Sequence, residues 1–415
     1  MRSMKTDVVV LGAGIIGVSA ALHLQARGRS VTLFDRRGPG EETSYGNAGL
    51  IERASVIPYA FPRDWRSLLR YAGNRRPDVR YHPRFLPRIA PWLLRYWWHS
   101  APSRLARAAA AMLPLIERSV TEHDVLKDAA GISHLFRRNG WIDGMRSQAS
   151  LDRGAADAAA LACYGLDCQV LDRPALAALE PSLSPNLVGA IHWRDPVNVS
   201  DPGAVARGYA ALFQQRGGTL ARGDARSLEA VAGGGWRVRG VTGPLEARDV
   251  VVALGPWSPD VLRPLGYRVP MAVKRGYHQH FALEDGAALS RPVADIDSGF
   301  VMSPMTLGLR LTTGAEFAPR DAPPSPVQVA RARLLAAQLL PLGEAVEKTP
   351  WMGCRPCMPD MRPVIGPAPR HPGLWLAFGH AHHGFTLGPV TGKLLACLVT
   401  GETPDMDPAP YALNR

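Results

Sequence analysis

Residues 7 to 35 constrain this chain more than any other stretch. They read DVVVLGAGIIGVSAALHL and, after a short gap, SVTLFD. Val8 to Leu11 is an uninterrupted apolar run, as expected of a strand buried on both faces of a parallel sheet. Glycines follow at once. Gly12 permits the tight turn out of the strand, Gly14 lets backbone approach a pyrophosphate, and Gly17 lets the next helix press against the sheet. Ile15 and Ile16 open that helix beside the phosphate position. Ile16, Ala20, Ala21 and Leu24 recur at helical spacing, and Gly28 is a stop. A second strand, Val31 to Phe34, ends on Asp35, whose carboxylate is placed to accept hydrogen bonds from ribose hydroxyls. Strand, glycines, helix, strand and terminal acid in one register specify a dinucleotide site.

The chain has 415 residues, which fits two domains or one bipartite unit. Its formal charge of +12 would suit a polyanionic partner. The lysines are Lys5, Lys127, Lys274, Lys348 and Lys393, all other cations being arginine, and no basic run reaches five residues. Nucleic-acid binding is therefore not expected. The five cysteines, Cys163, Cys168, Cys354, Cys357 and Cys397, are odd in number. Together with a first strand so near Met1, they predict reduced thiols and a cytoplasmic location, extending to the inner face of the membrane. No apolar run reaches the roughly eighteen residues of a spanning helix.

Beyond Asp35, Arg36 leads into a polar loop in which Thr43, Ser44, Asn47, Ala48 and Gly49 are small residues able to offer N–H groups to phosphate or to a flavin ring. Trp92, Trp97 and Trp98 lie among Arg84, Arg88, Arg95, Arg104 and Arg107. That pattern suits a bilayer interface, or equally a helix packed on its own domain or a subunit. Ser103 is placed to cap a following helix that carries Leu105, Ala109, Met112 and Ile116 on one face. Asp249 to Ser258 reads as a second buried strand ending in a turn at Gly255, which returns to the dinucleotide. In the Lys274 to Phe281 strand, alternation sets Tyr277 and Gln279 on one face and His278 and His280 on the other. Tyr277 and His278 are candidates to line a pocket.

The C-terminal part carries GCRPCMPDMRPVIG (353–366) and GHAHHGFTLGPVTG (379–392). A glycine-flanked turn at the start of a final helix offers free N–H groups and a positive dipole end. These two segments, the GAGIIG motif and the loop ETSYGNAG (42–49) resemble the FAD-dependent amino-acid oxidoreductases of the D-amino-acid oxidase superfamily. The loop and the GxRPxxPD pattern are most similar to the bacterial D-amino-acid dehydrogenase branch.

The resemblance implies an α/β fold: a split Rossmann-like FAD-binding domain (1–60, 196–266, 350–415) and an α+β substrate domain with a mostly antiparallel sheet (61–195, 267–349). It places Gly12, Gly14, Gly17 and Asp35 at the ADP half of FAD, and Ser44, Asn47, Ala48 and Gly49 beside the flavin. Gly384, Phe385, Thr386 and Leu387 meet its pyrimidine edge. Arg355 falls on the arginine that clamps the substrate carboxylate, a role matched to a planar guanidinium fork. The implied reaction oxidises a D-amino acid or a D-proline-type imino acid by hydride transfer to flavin N5, with electrons passed to quinone or an electron-transfer protein and no side-chain base required. A glycine- or sarcosine-type oxidase, or a flavin-holding subunit active in a complex, are the alternatives. Relatives that attach flavin to cysteine have Gly353 at that position here, so non-covalent FAD is expected. The CxxC of Cys354 and Cys357 has no second pair, and the turn bearing His380, His382 and His383 is claimed by flavin, so no metal is assigned.

Overall fold

The computed structural model describes residues 4–415. The opening strand, Met4–Leu11, runs parallel to Val31–Asp35 on one side and to Gly243–Val252 on the other. Thr219–Arg222 adds beyond the second strand and Leu374–Phe378 beyond the third, both parallel. A hairpin of Glu229–Ala230 and Trp236–Gly240, turning through three glycines with positive φ, extends the sheet antiparallel. Val8, Val9, Val10 and Leu11 are all buried, because helices cover one face and the antiparallel extension shields the other. Helix Ile15–Gln25 crosses the last helix, Gly388–Thr400, closely: a Cβ on Gly392 would lie 2.6 Å from the Ser19 carbonyl carbon.

The second sheet has eleven strands and is mostly antiparallel. Its spine is Ala272–Leu283, which pairs with Gly308–Thr313 along one edge and with Trp351–Cys357 along the other. A small sheet of Leu50–Ile51, Val197–Val199 and Phe136–Arg137 joins the two layers. Past residue 350, the strand Trp351–Cys357 hydrogen-bonds into this second sheet, and the chain returns to the first sheet at Val364–Pro367. Ser103 is no cap. Helix Pro102–Glu117 starts one residue earlier, with Pro102 in its first turn and Ala101 before it.

The tryptophan-rich stretch forms helix Leu86–His99, and it divides by face. Ile89, Trp92 and Tyr96 are buried. Leu94 (67% exposed) and Trp98 (54%) point outward, and Trp65 (65%) and Leu69 of helix Trp65–Ala72 are exposed as well.

Candidate active site

Between the two sheets lies a cavity of about 780 Å³, within the range of small-molecule and cofactor sites. At one end are Asp35, Arg36, Arg222 and Gly223; in the middle Gly12, Gly14, Ile15, Ile16 and Gly255; at the other end Thr43, Ser44, Asn47, Ala48, Arg355, Gly384 and Phe385. Strand ends and loops from three separated parts of the chain meet there.

Gly12 has a φ of +107°, and a Cβ there would sit 2.4 Å from the Ala253 carbonyl oxygen. The turn is thus also a close crossing with the end of Gly243–Val252. A Cβ on Gly17 would lie 1.8 Å from the Gly12 oxygen, so this glycine sits behind the lining and lets helix Ile15–Gln25 approach the loop. That helix has no side-chain cap at Gly14, and a Cβ on Gly14 would touch only Ser44 Oγ, at 3.2 Å. A helix N-terminus opening on a cavity fits a pyrophosphate. Ser44 Oγ accepts the Ile15 N–H at 2.9 Å. Asp35 stands at the cavity edge, one carboxylate oxygen accepting the Ala13 N–H (2.6 Å) and the other that of Arg37 (3.0 Å). Arg36 pairs with Glu42 and lies 4.2 Å over the Trp257 ring. Asn47 Oδ1 accepts from the N–H of Gly49 and Leu50, which closes the loop. Gly49 (φ +75°) lies under it, where a Cβ would meet the Val199 oxygen at 2.4 Å.

One support of this loop was not foreseen. Arg310, buried in the Gly308–Thr313 strand, donates through Nη1 to the carbonyls of Tyr45 (3.1 Å) and Asn47 (2.5 Å). Its Nε donates to His280 Nε2 at 2.9 Å, and His280 in turn contacts Glu347. Burial holds the Arg310 pKa down to about 10, so it stays a cation at neutral pH. No motif signals this arginine; only the register of the strands places it beneath the loop.

Alternation along the substrate sheet decides the far end. Gly276 pairs with Gly353, His278 with Trp351 and Lys274 with Arg355, so these side chains share a face. Arg355 Nη1 donates to the Gly314 carbonyl (2.8 Å) and Nη2 to that of Thr313 (3.3 Å). Among the described residues no carboxylate lies within ion-pair distance of it. The Trp351 ring covers Gly46 and Gly353 and stacks on His278, centroids 4.8 Å apart. His278 is therefore roofed by Trp351 and Tyr45 and is absent from the lining, and burial pushes its pKa down to about 2. Tyr277 borders the cavity, but its hydroxyl turns to the opposite face, donating to Glu316 Oε2 (2.6 Å) and accepting from Arg275 (2.6 Å). Of the two candidates for lining a pocket, Tyr277 is thus among the lining residues and His278 lies behind them. Cys354, on the same reverse face, points its Sγ towards the Arg320 carbonyl.

In the C-terminal turn, Gly384 and Phe385 line the cavity, whereas Thr386 and Leu387 are fully buried behind it. Thr386 Oγ1 accepts the Glu52 N–H at 3.0 Å, and Leu387 belongs to the helix-packed core. His123 Nε2 meets the Phe385 carbonyl at 2.9 Å and braces the turn from outside. Sequence shows no carboxylate near His382 and His383, but the fold brings one: Glu52, His382 and His383 each place one donor atom within 4.8 Å of the others. Burial keeps His383 neutral, its pKa held down to about 4, and pushes His382 well below the usual imidazole range.

Fold and cavity together define a two-domain flavoenzyme. The family described as FAD dependent oxidoreductase (DAO) matches residues 7–398, and the chain belongs to it. A D-amino acid dehydrogenase of Sinorhizobium medicae is 32% identical over 420 residues, 98% of this chain and 99% of that one. A D-amino-acid oxidase of Bradyrhizobium diazoefficiens is 29% identical, covering 98% of each. Among solved structures, glycine oxidase from Geobacillus kaustophilus superposes with a TM-score of 0.75 at 22% identity, over 100% of this chain and 99% of that one, which shows the shared fold.

Proposed function

We propose that this chain oxidises the Cα–N bond of a D-amino acid, or of a D-proline-type imino acid, and passes the electrons to a carrier. The observation that carries this reading is Arg355: a guanidinium bordering the cavity, held by two backbone carbonyls and, among the described residues, with no carboxylate at ion-pair distance. A half-buried cation with no carboxylate in ion-pair contact is a ready site for an anionic ligand. A bidentate carboxylate there fixes the orientation of the α-carbon. The D configuration is supported by the names of relatives at about 30% identity, a D-amino acid dehydrogenase and a D-amino-acid oxidase.

FAD, when bound, supplies the two-electron acceptor. The chain's own residues would hold and orient it: Gly14, Ile15 and Ile16 at the pyrophosphate, Asp35 at the ribose, and the Thr43 to Ala48 loop braced by Arg310 at the ring. Arg355 orients the substrate, while Trp351 and Phe385 keep water from the reacting carbon. Non-covalent binding is supported by Gly353 on the cavity face and by Cys354 on the other.

The carrier side is supported by the exposed Leu94, Trp97 and Trp98 patch. Arg63 lies 4.0 Å over the Trp97 ring and Arg104 3.7 Å over that of Trp98. Residues 79 to 116 contain no Asp or Glu, so the patch complements an anionic lipid surface holding a quinone. It also reaches the site: the Tyr96 hydroxyl donates to the Tyr59 carbonyl, and the Tyr59 ring contacts His382. No helix among the described residues is long and apolar enough to cross a membrane. The oxidase-named relative favours a second reading, with oxygen as acceptor. Anaerobic mixing with D-amino acids, D-proline, glycine and sarcosine, followed by air, tests both. Bleaching by D-substrates with slow reoxidation is expected; no bleaching would overturn the reading, and rapid reoxidation would favour the oxidase.

A further inference from the structure

We propose that Glu52 is the base that takes the proton from the substrate's α-ammonium group. The proposal rests on the amino-acid oxidation argued above and adds a group that the reaction scheme leaves open. Only the neutral amine has a nitrogen lone pair to assist loss of the Cα hydrogen with its bonding electrons. An amino acid at neutral pH arrives as the ammonium form, so one N–H proton must be taken up at the site.

Glu52 follows the short strand Leu50–Ile51, lines the cavity together with Arg355, and is 7% exposed. Its backbone N–H is tied to Thr386, which fixes it against the C-terminal turn. Ser55 Oγ donates to Oε2 at 3.0 Å, and His382 Nε2 lies 3.9 Å from the same oxygen. Among the described residues Oε1 has no hydrogen-bond partner. Glu52 and Arg355 are near enough that each charge influences the other's protonation. The two ends of the site therefore mirror a zwitterion: a cationic fork for the carboxylate and an acceptor oxygen for the ammonium.

The groups facing Glu52 are consistent with a base. Burial raises its pKa to about 7, against the opposing pull of the Ser55 hydrogen bond and the Arg355 charge, with Asp143 raising it slightly further. A base works best with a pKa near the operating pH. Asp143 itself is half-buried, its pKa raised to about 6 by desolvation, and it accepts the Trp193 indole N–H at 2.8 Å, so it is already engaged. His382 and His383 are neutral, and Tyr59 flanks His382 at the mouth. In the step itself the substrate N–H bond breaks, its electron pair stays on nitrogen, and the proton forms a bond to Glu52 Oε1. Ammonium and carboxylate both become neutral, and charge is conserved.

The test uses FAD-loaded wild type, Glu52→Gln and Glu52→Asp. Anaerobic flavin bleaching by D-alanine is followed against pH, and propionate, a carboxylate without an amine, is titrated by its effect on flavin absorbance. Glu52→Gln is expected to slow bleaching at pH 7 by about 10²-fold. The gap should close as pH rises towards the free amine's own pKa, with propionate binding unchanged and partial recovery in Glu52→Asp. A pH profile for Glu52→Gln parallel to wild type would overturn the proposal. So would a loss confined to D-arginine and D-lysine, which would make Glu52 a side-chain selector. Absence of bleaching in wild type with every amino acid would instead remove the reading on which it rests.

Discussion

The Arg355 guanidinium occupies the space above Gly276, where a Cβ would lie 2.5 Å from Nη1 and 2.6 Å from Nη2. Two strands in register thus make a seat for one cation, with a glycine as its floor. Gly276→Ala should displace the fork from the Thr313 and Gly314 carbonyls. We expect KM to rise about tenfold or more, from a cost of about 1–3 kcal/mol, with FAD content unchanged. Steady-state kinetics alongside flavin absorbance checks this.

Removing the cation is a harsher test. Arg355→Leu should raise KM by about 10²-fold or more, the scale of losing a buried charge pair of about 2–5 kcal/mol, while FAD stays bound. Arg355→Lys keeps the charge but loses the fork and should recover only part of the loss. Unchanged kinetics in both variants would remove Arg355 from substrate binding.

Gly46 and Gly353 both exist in contact with the Trp351 ring, where their Cβ atoms would lie 1.7 and 2.1 Å from it. Gly46→Ala must push the indole off His278 and towards the cavity. The expected outcome is weaker FAD retention, measured by dialysis or by isothermal titration of the apoprotein.

Acid precipitation should release all of the FAD into the supernatant, because Cys354 faces the Arg320 carbonyl and no cysteine reaches the cavity lining. Flavin fluorescence left on the protein pellet would contradict this.

The Glu52 pKa, raised by burial from an ordinary 4.5 to about 7, carries a signed consequence. The folded state holds this proton more tightly than the unfolded chain, so stability falls as pH rises between those values and is lowest above the upper one. Glu52→Gln removes the cost of ionising a buried carboxyl, at most about 3 kcal/mol. Its Tm should exceed that of wild type above pH 7 and converge with it near pH 4.5. Thermal unfolding across that range measures the difference.

The dinucleotide half was legible because its determinants are local. Gly12, Gly14, Gly17 and Asp35 lie within 24 residues, and the turn geometry they impose needs no distant partner. Arg355 was found through its motif. A side chain's surroundings were not legible where they come from remote strands. Tyr277 and His278 alternate as expected, yet the sequence does not say that Glu316 claims one and Trp351 covers the other. Thr386 looks like part of a flavin-facing turn, but its hydroxyl serves Glu52, 334 residues away.

Sequence alone therefore determined the fold class and the cofactor, since each rests on chain geometry or on a contiguous motif. Tertiary structure decided which faces of the strands look into the cavity, that Arg310 braces the Tyr45 to Asn47 loop, and that Glu52 lines the same cavity as Arg355. Those are consequences of register between strands hundreds of residues apart, and a one-residue shift in that register would turn every one of these side chains to the other face.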